Sequence, residues 1–495
     1  MEFESLWDQC VGRLATVDPA AVPVESASLV AEFAEHPGAN ARAEATAARF
    51  FELLTRDPRL ALAEAGLAEA LAREAALPIL SELVLRRATA QFVLGYGEAA
   101  ACAIKVELSR LGRTGSSLQR LALLTLRAQA LIGCGHLGPA LISLEEALAL
   151  AERQPRQQAL GVVLSAFGNA RLHAGHLDSA AEYYSRALEH GRLQNQVEAQ
   201  AINQGNLGLV LHLQGESDRA DEAYAAALSL ARQANDLRAV SVLEANRGLL
   251  ATELGDLDLA EARLQEGLSA SRALGDSRRE AYCMIRLAAA SRLAGNYETA
   301  QARLNAAWPA LSSEGGDSPD LAQAEHHLEG SRLALALGEP AEAAQHARLS
   351  RSLSEALSYP TGVTWGRVAE ARALLADPQG LEAARALLDQ AQAEERELGQ
   401  PLLRGRIATL QAEVQLRLGD PERAAELLTQ ARRRLAPETP AAAWVELTRA
   451  RLEATRAPQV ARSLLTHLAA DAERQGWGEL IQAALKAGEA LDAPE

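Results

Sequence analysis

The chain has 495 residues, a net charge of −16, only 4% aromatic residues and four cysteines without paired spacing. That length exceeds what a single hydrophobic core organises, the cysteines exclude a disulfide framework or zinc knuckle, and no apolar run approaches the roughly 20 residues that span a bilayer. Alanine, leucine, arginine and glutamate dominate and β-branched runs are missing, so the expected class is all-α.

In chain order, residues 1–38 read as two short capping helices, broken at Asp18-Pro19 and stopped by His36-Pro37-Gly38. The opening MEFESLWDQC has no basic stretch before an apolar run, so no signal peptide is expected and the predicted location is cytoplasmic. Residues 39–312 form a regular array. Within it a glycine is followed five residues later by an alanine at intervals of 40 residues: Gly135 and Ala140, Gly175 and Ala180, Gly215 and Ala220, Gly255 and Ala260, Gly295 and Ala300. A fixed period of that length denotes stacked helical units.

The residue types follow from helix packing. The glycine closes an inter-helix turn at positive φ. In the next helix Ala220 and Ala227 lie seven apart on one face with Tyr224 between them, two small side chains admitting a neighbour and one ring filling the space beside them. Gly208, seven residues before the turn, is the matching small residue of the first helix. Gly168, Gly248 and Ala288 repeat it; Ala187, Gly267 and Ala307 repeat Ala227; Tyr184, Leu264 and Leu304 take the large position. Such pairs bury their apolar faces only against neighbouring pairs.

At 312–320 the stretch SSEGGDSPD is the most linker-like of the chain and lengthens the interval to 43 residues, so a change of path is expected there. Residues 313–475 read as less regular units around Ala343, Ala384, Ala424 and Ala461, and residues 476–495 as a solvated terminal helix that caps the array. Weaker copies upstream centre on Ala61 and Ala100. Residues 141–400 hold 36 acidic and 23 basic residues, whereas 401–495 hold 13 of each. An acidic middle argues against nucleic acid; it suits solvated helix faces and leaves a basic partner segment open.

The segments AGHLDSAAEYYSRALEH, LGDLDLAEARLQEGL and AGNYETAQARLNAAW closely resemble the tetratricopeptide repeat in its long form. Similar spacing occurs in kinesin light chains, in Rap-type peptide-sensing regulators and in the sensor region of MalT-type activators. The resemblance implies a right-handed superhelix, an α-solenoid of about 11–12 helix-turn-helix repeats. It also implies a concave groove. Two residues before the small residue of each first helix stand Leu126, Ala166, Asn206, Asn246 and Arg286. In the family this register faces the groove, where amides grip a peptide backbone and arginine forks a carboxylate. Asn169 and Arg292 match further groove positions, and Tyr282 offers an aromatic platform. A solvated surface is the alternative for all of them. Ser165, Gly205, Val242 and Tyr282 stand where chaperone-tail clamps carry lysines, so a strict clamp of that kind is not expected.

Catalytic motifs are missing: there is no GxxxxGK[ST], HExxH or GxSxG. His326 and His327 are adjacent and point to different sides of a helix, and His136 and His176 fall in turns one unit apart, so no metal or other cofactor is expected. The chain is therefore read as a non-enzymatic scaffold binding a peptide or helix of a partner protein. The alternative is a sensor whose solenoid binds a signalling peptide or small effector and controls a partner in trans.

Overall fold

The computed structural model describes residues 3–30, 38–112, 115–154, 159–312 and 321–492. Among these residues there are 25 α-helices and no strand. The chain divides into two compact units, the first from residues 1–170 and the second from 171–312 and 320–495. The first contains α1 (Phe3–Leu14), α2 (Val22–Leu29), α3 (Ala39–Arg56), α4 (Pro58–Glu74), α5 (Leu80–Val93), α6 (Gly97–Leu111), α7 (Ser117–Gly133) and α8 (Leu137–Glu152), with α9 (Leu160–His173) at the boundary. Here α1 and α2 pack on α4 around Trp7 and Leu67.

The second unit begins with α10 (Leu177–Leu193), α11 (Val197–Leu213), α12 (Ser217–Gln233), α13 (Leu237–Leu254), α14 (Leu257–Leu274), α15 (Ser277–Leu293) and α16 (Tyr297–Ser312). It continues with α17 (Leu321–Leu337), α18 (Pro340–Ala356), α19 (Pro360–Leu374), α20 (Leu381–Leu398), α21 (Pro401–Arg417), α22 (Pro421–Arg432), α23 (Pro440–Ala454), α24 (Pro458–Gln475) and α25 (Gly478–Asp492). The linker-like residues 313–320 lie outside those described, and α17 packs on both α15 and α16, so the stacking continues past them.

Each pair is built as the small and large positions dictate. Tyr224 and Leu264 are fully buried, and a Cβ on Gly208 or Gly248 would stand 2.7 Å from the Tyr224 ring or 2.4 Å from Leu264. Ala220, Ala227, Ala260 and Ala307 have no exposed surface. At the turn between α13 and α14, Gly255 adopts φ +88°, Asp256 N–H donates to the Ala251 carbonyl at 3.0 Å, and the Asp256 side chain accepts from Leu259 N–H. One turn thus ends a helix and caps the next.

The second unit also closes on itself. Loops between its later pairs dock on the glycine turns of its earlier ones. A Cβ added to Gly175 would meet Leu398, one on Gly215 would meet Pro401, one on Gly255 would meet the Trp477 ring, and one on Gly295 would meet Gly478. Trp477 Nε1 donates to the Gly255 carbonyl at 2.9 Å, and the His173 Nε2–H donates to the Leu357 carbonyl at 2.9 Å. The C-terminal helix is accordingly not the solvated cap the sequence suggested. Leu480 and Ala484 are buried, and α25 packs against α15, α23 and α24, because the alternating apolar face of GELIQAAL meets an earlier turn of the array.

Candidate functional site

The residues singled out from the sequence fall into three settings. Asn169 lies half-buried on α9, within the first unit, and Asn206 lies half-buried on α11. Asn246, Tyr282 and Arg286 come together: the Arg286 guanidinium lies 4.2 Å above the Tyr282 ring, donates to the Tyr282 hydroxyl, and donates to the Asn246 Oδ1 at 3.3 Å and the Ala245 carbonyl at 3.0 Å. The Tyr282 hydroxyl in turn donates to Glu325 at 3.2 Å. Burial pushes the Tyr282 hydroxyl pKa above its ordinary value, so it remains a neutral donor.

Arg292 has a different setting. Only 5% exposed, it donates through Nε to Glu329 at 2.5 Å and through Nη1 to Glu479 of α25. Burial works against its charge, but these two carboxylates hold its pKa above the ordinary arginine range. Arg292 is thus committed to an internal ion-pair network that ties α15 to α17 and to α25.

That network opens onto a cavity of about 810 Å³. Its wall comes from five first helices of successive pairs, α17, α19, α21, α23 and α25, which supply Arg332, Trp365, Arg372, Arg406, Glu413, Arg417, Trp444, Arg451, Glu479 and Lys486. Six cations therefore face two carboxylates. Both carboxylates are occupied: Glu413 pairs with Arg417 at 3.0 Å and Arg451 at 3.2 Å, and Glu479 serves Arg292 and, at 3.7 Å, Arg372. Arg332 lies 3.3 Å from Glu329.

Two tryptophans organise the cations. Arg332 and Arg406 stand 5.4 and 5.9 Å from the Trp365 ring centroid, and Arg372 stands 4.5 Å from that of Trp444. These distances suit cation–π attraction. Arg406 makes no ion pair with a described residue, and its buried Nε lacks a hydrogen-bond partner. Burial, followed by repulsion from Arg332 and Arg372, pushes its pKa down to about 9, which still leaves it charged at neutral pH. On the other side Glu253 of α13 accepts from His212 at 2.8 Å; although burial opposes its charge, His212, Arg406 and Arg332 keep its pKa below the usual carboxylate value. The wall is thus an electropositive surface with two aromatic platforms. It is equipped to hold an anionic or extended polar ligand by hydrogen bonds and stacking.

Sequence reasoning looked for the groove in the most regular repeats and passed over this wall. A signal was present, since Arg292, Arg332 and Arg372 recur at intervals of 40 residues. It was obscured because the glycine-alanine pairs of these units, Gly338 with Ala343 and Gly419 with Ala424, no longer fall at intervals of 40 residues. Among the described residues no group of three or more His, Cys, Asp or Glu side chains is placed to hold a metal ion.

A tetratricopeptide repeat family model matches residues 203–233, the α11–α12 pair. That pair is a tetratricopeptide-type repeat. Among solved structures the chain is similar to a Rap protein in complex with competence and sporulation factor, at 13% identity over 76% of this chain and 98% of that one, with a TM-score of 0.49. It is also similar to NprR in complex with its cognate peptide NprX, at 12% identity over 70% and 97%, TM-score 0.49. A third is a signal transduction ATPase with a tetratricopeptide repeat sensor from Pyrococcus horikoshii, at 14% identity over 83% and 64%, TM-score 0.41. No curated protein sequence matches the chain.

Proposed function

We propose that this protein is a non-catalytic repeat scaffold that holds a peptide segment of a partner in the cavity walled by α17, α19, α21, α23 and α25. The observation that carries the reading is the cavity itself. Four consecutive first helices turn arginines and tryptophans, and α25 a lysine and a glutamate, toward one space of about 810 Å³, within the range of pockets that enclose a ligand. Ladders of side chains on stacked repeats suit an extended chain, because each repeat contributes one step of contacts. The row of Asn206, Asn246 and Arg286 is the second place such a segment could lie, with Tyr282 as its further contact.

The sensor reading is favoured by one feature, the double engagement of Glu479. It lines the cavity and also grips Arg292 across the closure. A ligand that draws Arg372 away from Glu479 therefore acts on the contact that holds α25 in place, giving occupancy a route to a change of form.

Selection of a random peptide library on the full chain, followed by hydrogen exchange with the enriched peptides, tests the location. Protection concentrated in α17, α19, α21 and α23 is expected. Protection confined to α11, α13 and α15 would place the groove on the earlier row, and a library yielding no binder would end the peptide reading.

A further inference from the structure

The cavity has a sign. Its cations outnumber its carboxylates, and every carboxylate on or beneath its wall already has a cationic or imidazole partner: Glu413, Glu479, Glu329 and Glu253. Arg406 alone among Arg332, Arg372 and Arg406 has no carboxylate in contact, although it shares the Trp365 platform with Arg332. A cation partly withdrawn from water beside like charges is costly to keep in a fold. It is also a preorganised half of a charge-assisted hydrogen bond, which is strongest where water is excluded.

Resting on the peptide reading above, we propose that Arg332, Arg372 and Arg406 form an oxyanion site that takes a carboxylate of the bound segment, with Trp365 and Trp444 covering the stem of that residue. Arginine suits the task because its planar fork matches a carboxylate on two donors and stacks on an aromatic face at once. The preferred segment is therefore acidic, opposite in sign to the basic partner that the acidic middle of the chain left open. The carboxylate comes from an Asp or Glu side chain or from a free C-terminus. The pKa of Arg406, lowered first by burial and then by the crowding of positive charge, supports the assignment, since an entering anion relieves the crowding.

The test uses the full chain and the same random peptide library, with free C-termini. Enriched peptides are resynthesised with C-terminal amides and, separately, with Asp and Glu replaced by Asn and Gln, and each is titrated calorimetrically against wild type and Arg406→Gln. Enrichment of acidic peptides is expected, with a loss of about tenfold or more in affinity on neutralising the responsible carboxylate and a comparable loss in Arg406→Gln. The amide series and the side-chain series identify which carboxylate is used. Because Arg406 holds no described carboxylate, its variant retains the ion pairs of the fold; Arg372→Lys, which keeps the charge and loses the fork, provides a second variant and should bind at an intermediate level. Peptides that bind the cavity equally well when neutralised, or that bind Arg406→Gln unchanged, would overturn the oxyanion site and leave the peptide reading standing. A library without binders would overturn both.

Discussion

The earlier and later pairs of the second unit are built alike and differ in what covers their turns. Between α10 and α16 the turn glycines at 215, 255 and 295 receive Pro401, Trp477 and Gly478 from later loops. In the later pairs the turns at Gly338 and Gly419 have nothing within 4 Å of where a side chain would begin. The strict period of the earlier pairs thus answers to two demands, a left-handed turn and a docking surface. The later pairs answer only to the first. Freed from docking at their own turns, they vary in spacing and carry the arginines and tryptophans of the cavity.

The comparison breaks most visibly at Arg292, where the two regions are joined. Arg292→Leu leaves Glu329 only its contact with Arg332 at 3.3 Å and Glu479 only its contact with Arg372 at 3.7 Å, both carboxylates being at most 5% exposed. Removing one member of a buried ion network costs about 3–5 kcal/mol. Urea denaturation should show a loss of that order, whereas Arg417→Leu, at a side chain 36% exposed, should change stability by no more than about 1 kcal/mol. Equal effects would mean that the closure holds nothing together.

A second contrast separates turn geometry from docking. Gly419→Ala, at φ +78° with open space around it, should cost only the left-handed penalty of about 1–2 kcal/mol. Gly255→Ala incurs that penalty and also places a methyl 2.5 Å from the Trp477 ring. Overpacking adds about 1–3 kcal/mol. If thermal melts of the two variants coincide, Trp477 does not dock at this turn.

Much of this was legible in the residues. The glycine-alanine interval and the alternation of Tyr224 with Ala220 and Ala227 follow from local packing, which any one repeat displays, and the helix pairs appear where that pattern puts them. The closure was not legible. It joins residues such as Gly255 and Trp477 that are far apart in sequence, and nothing local in WGELIQAAL distinguishes a helix that docks from one that is solvated. The site was legible in part. Asn246, Tyr282 and Arg286 do meet, as a shared register on adjacent first helices implies, but the Arg286 Nη1 and Nη2 groups are already spent on the Asn246 amide, the Ala245 carbonyl and the Tyr282 hydroxyl. The cavity wall depended on helices whose turns, at Gly338 and Gly419 among others, had left the 40-residue interval that sets the register.

A smaller effect sharpens the later region. The Nδ1 atoms of His327 on α17 and His346 on α18 lie 2.9 Å apart, with Trp308 packed against His327 and Glu342 3.8 Å from His346. One hydrogen bond between two Nδ1 atoms needs one donor and one acceptor, so the two rings cannot both be fully protonated. Burial, then His346 and His326, push the His327 pKa down to about 4. A folded-state value below the unfolded one means that the unfolded chain binds the proton first. The contribution is therefore complete above about pH 6.5 and is lost as pH falls toward 4. Thermal melts across that window should show wild type losing more stability than His327→Asn. Parallel curves would assign the acid sensitivity elsewhere.

The smallest expected change in stability is at Asn206, and it decides most about where a ligand lies. Its amide is half-buried on α11, in the register that the family resemblance assigns to peptide contact. Arg286 in the same row is 7% exposed and stacked on Tyr282, so replacing it changes the fold and the surface together. Asn206→Ala avoids that confusion, because a substitution at such a position seldom exceeds about 0.5 kcal/mol. Its effect on an enriched peptide is then a reading of contact alone. If Asn206→Ala leaves affinity within about twofold while Trp365→Ala with Trp444→Ala lowers it by an order of magnitude or more, the ligand occupies the later pairs. The reverse result would place it against the earlier row, and the regular repeats would then carry the recognition as well as the closure.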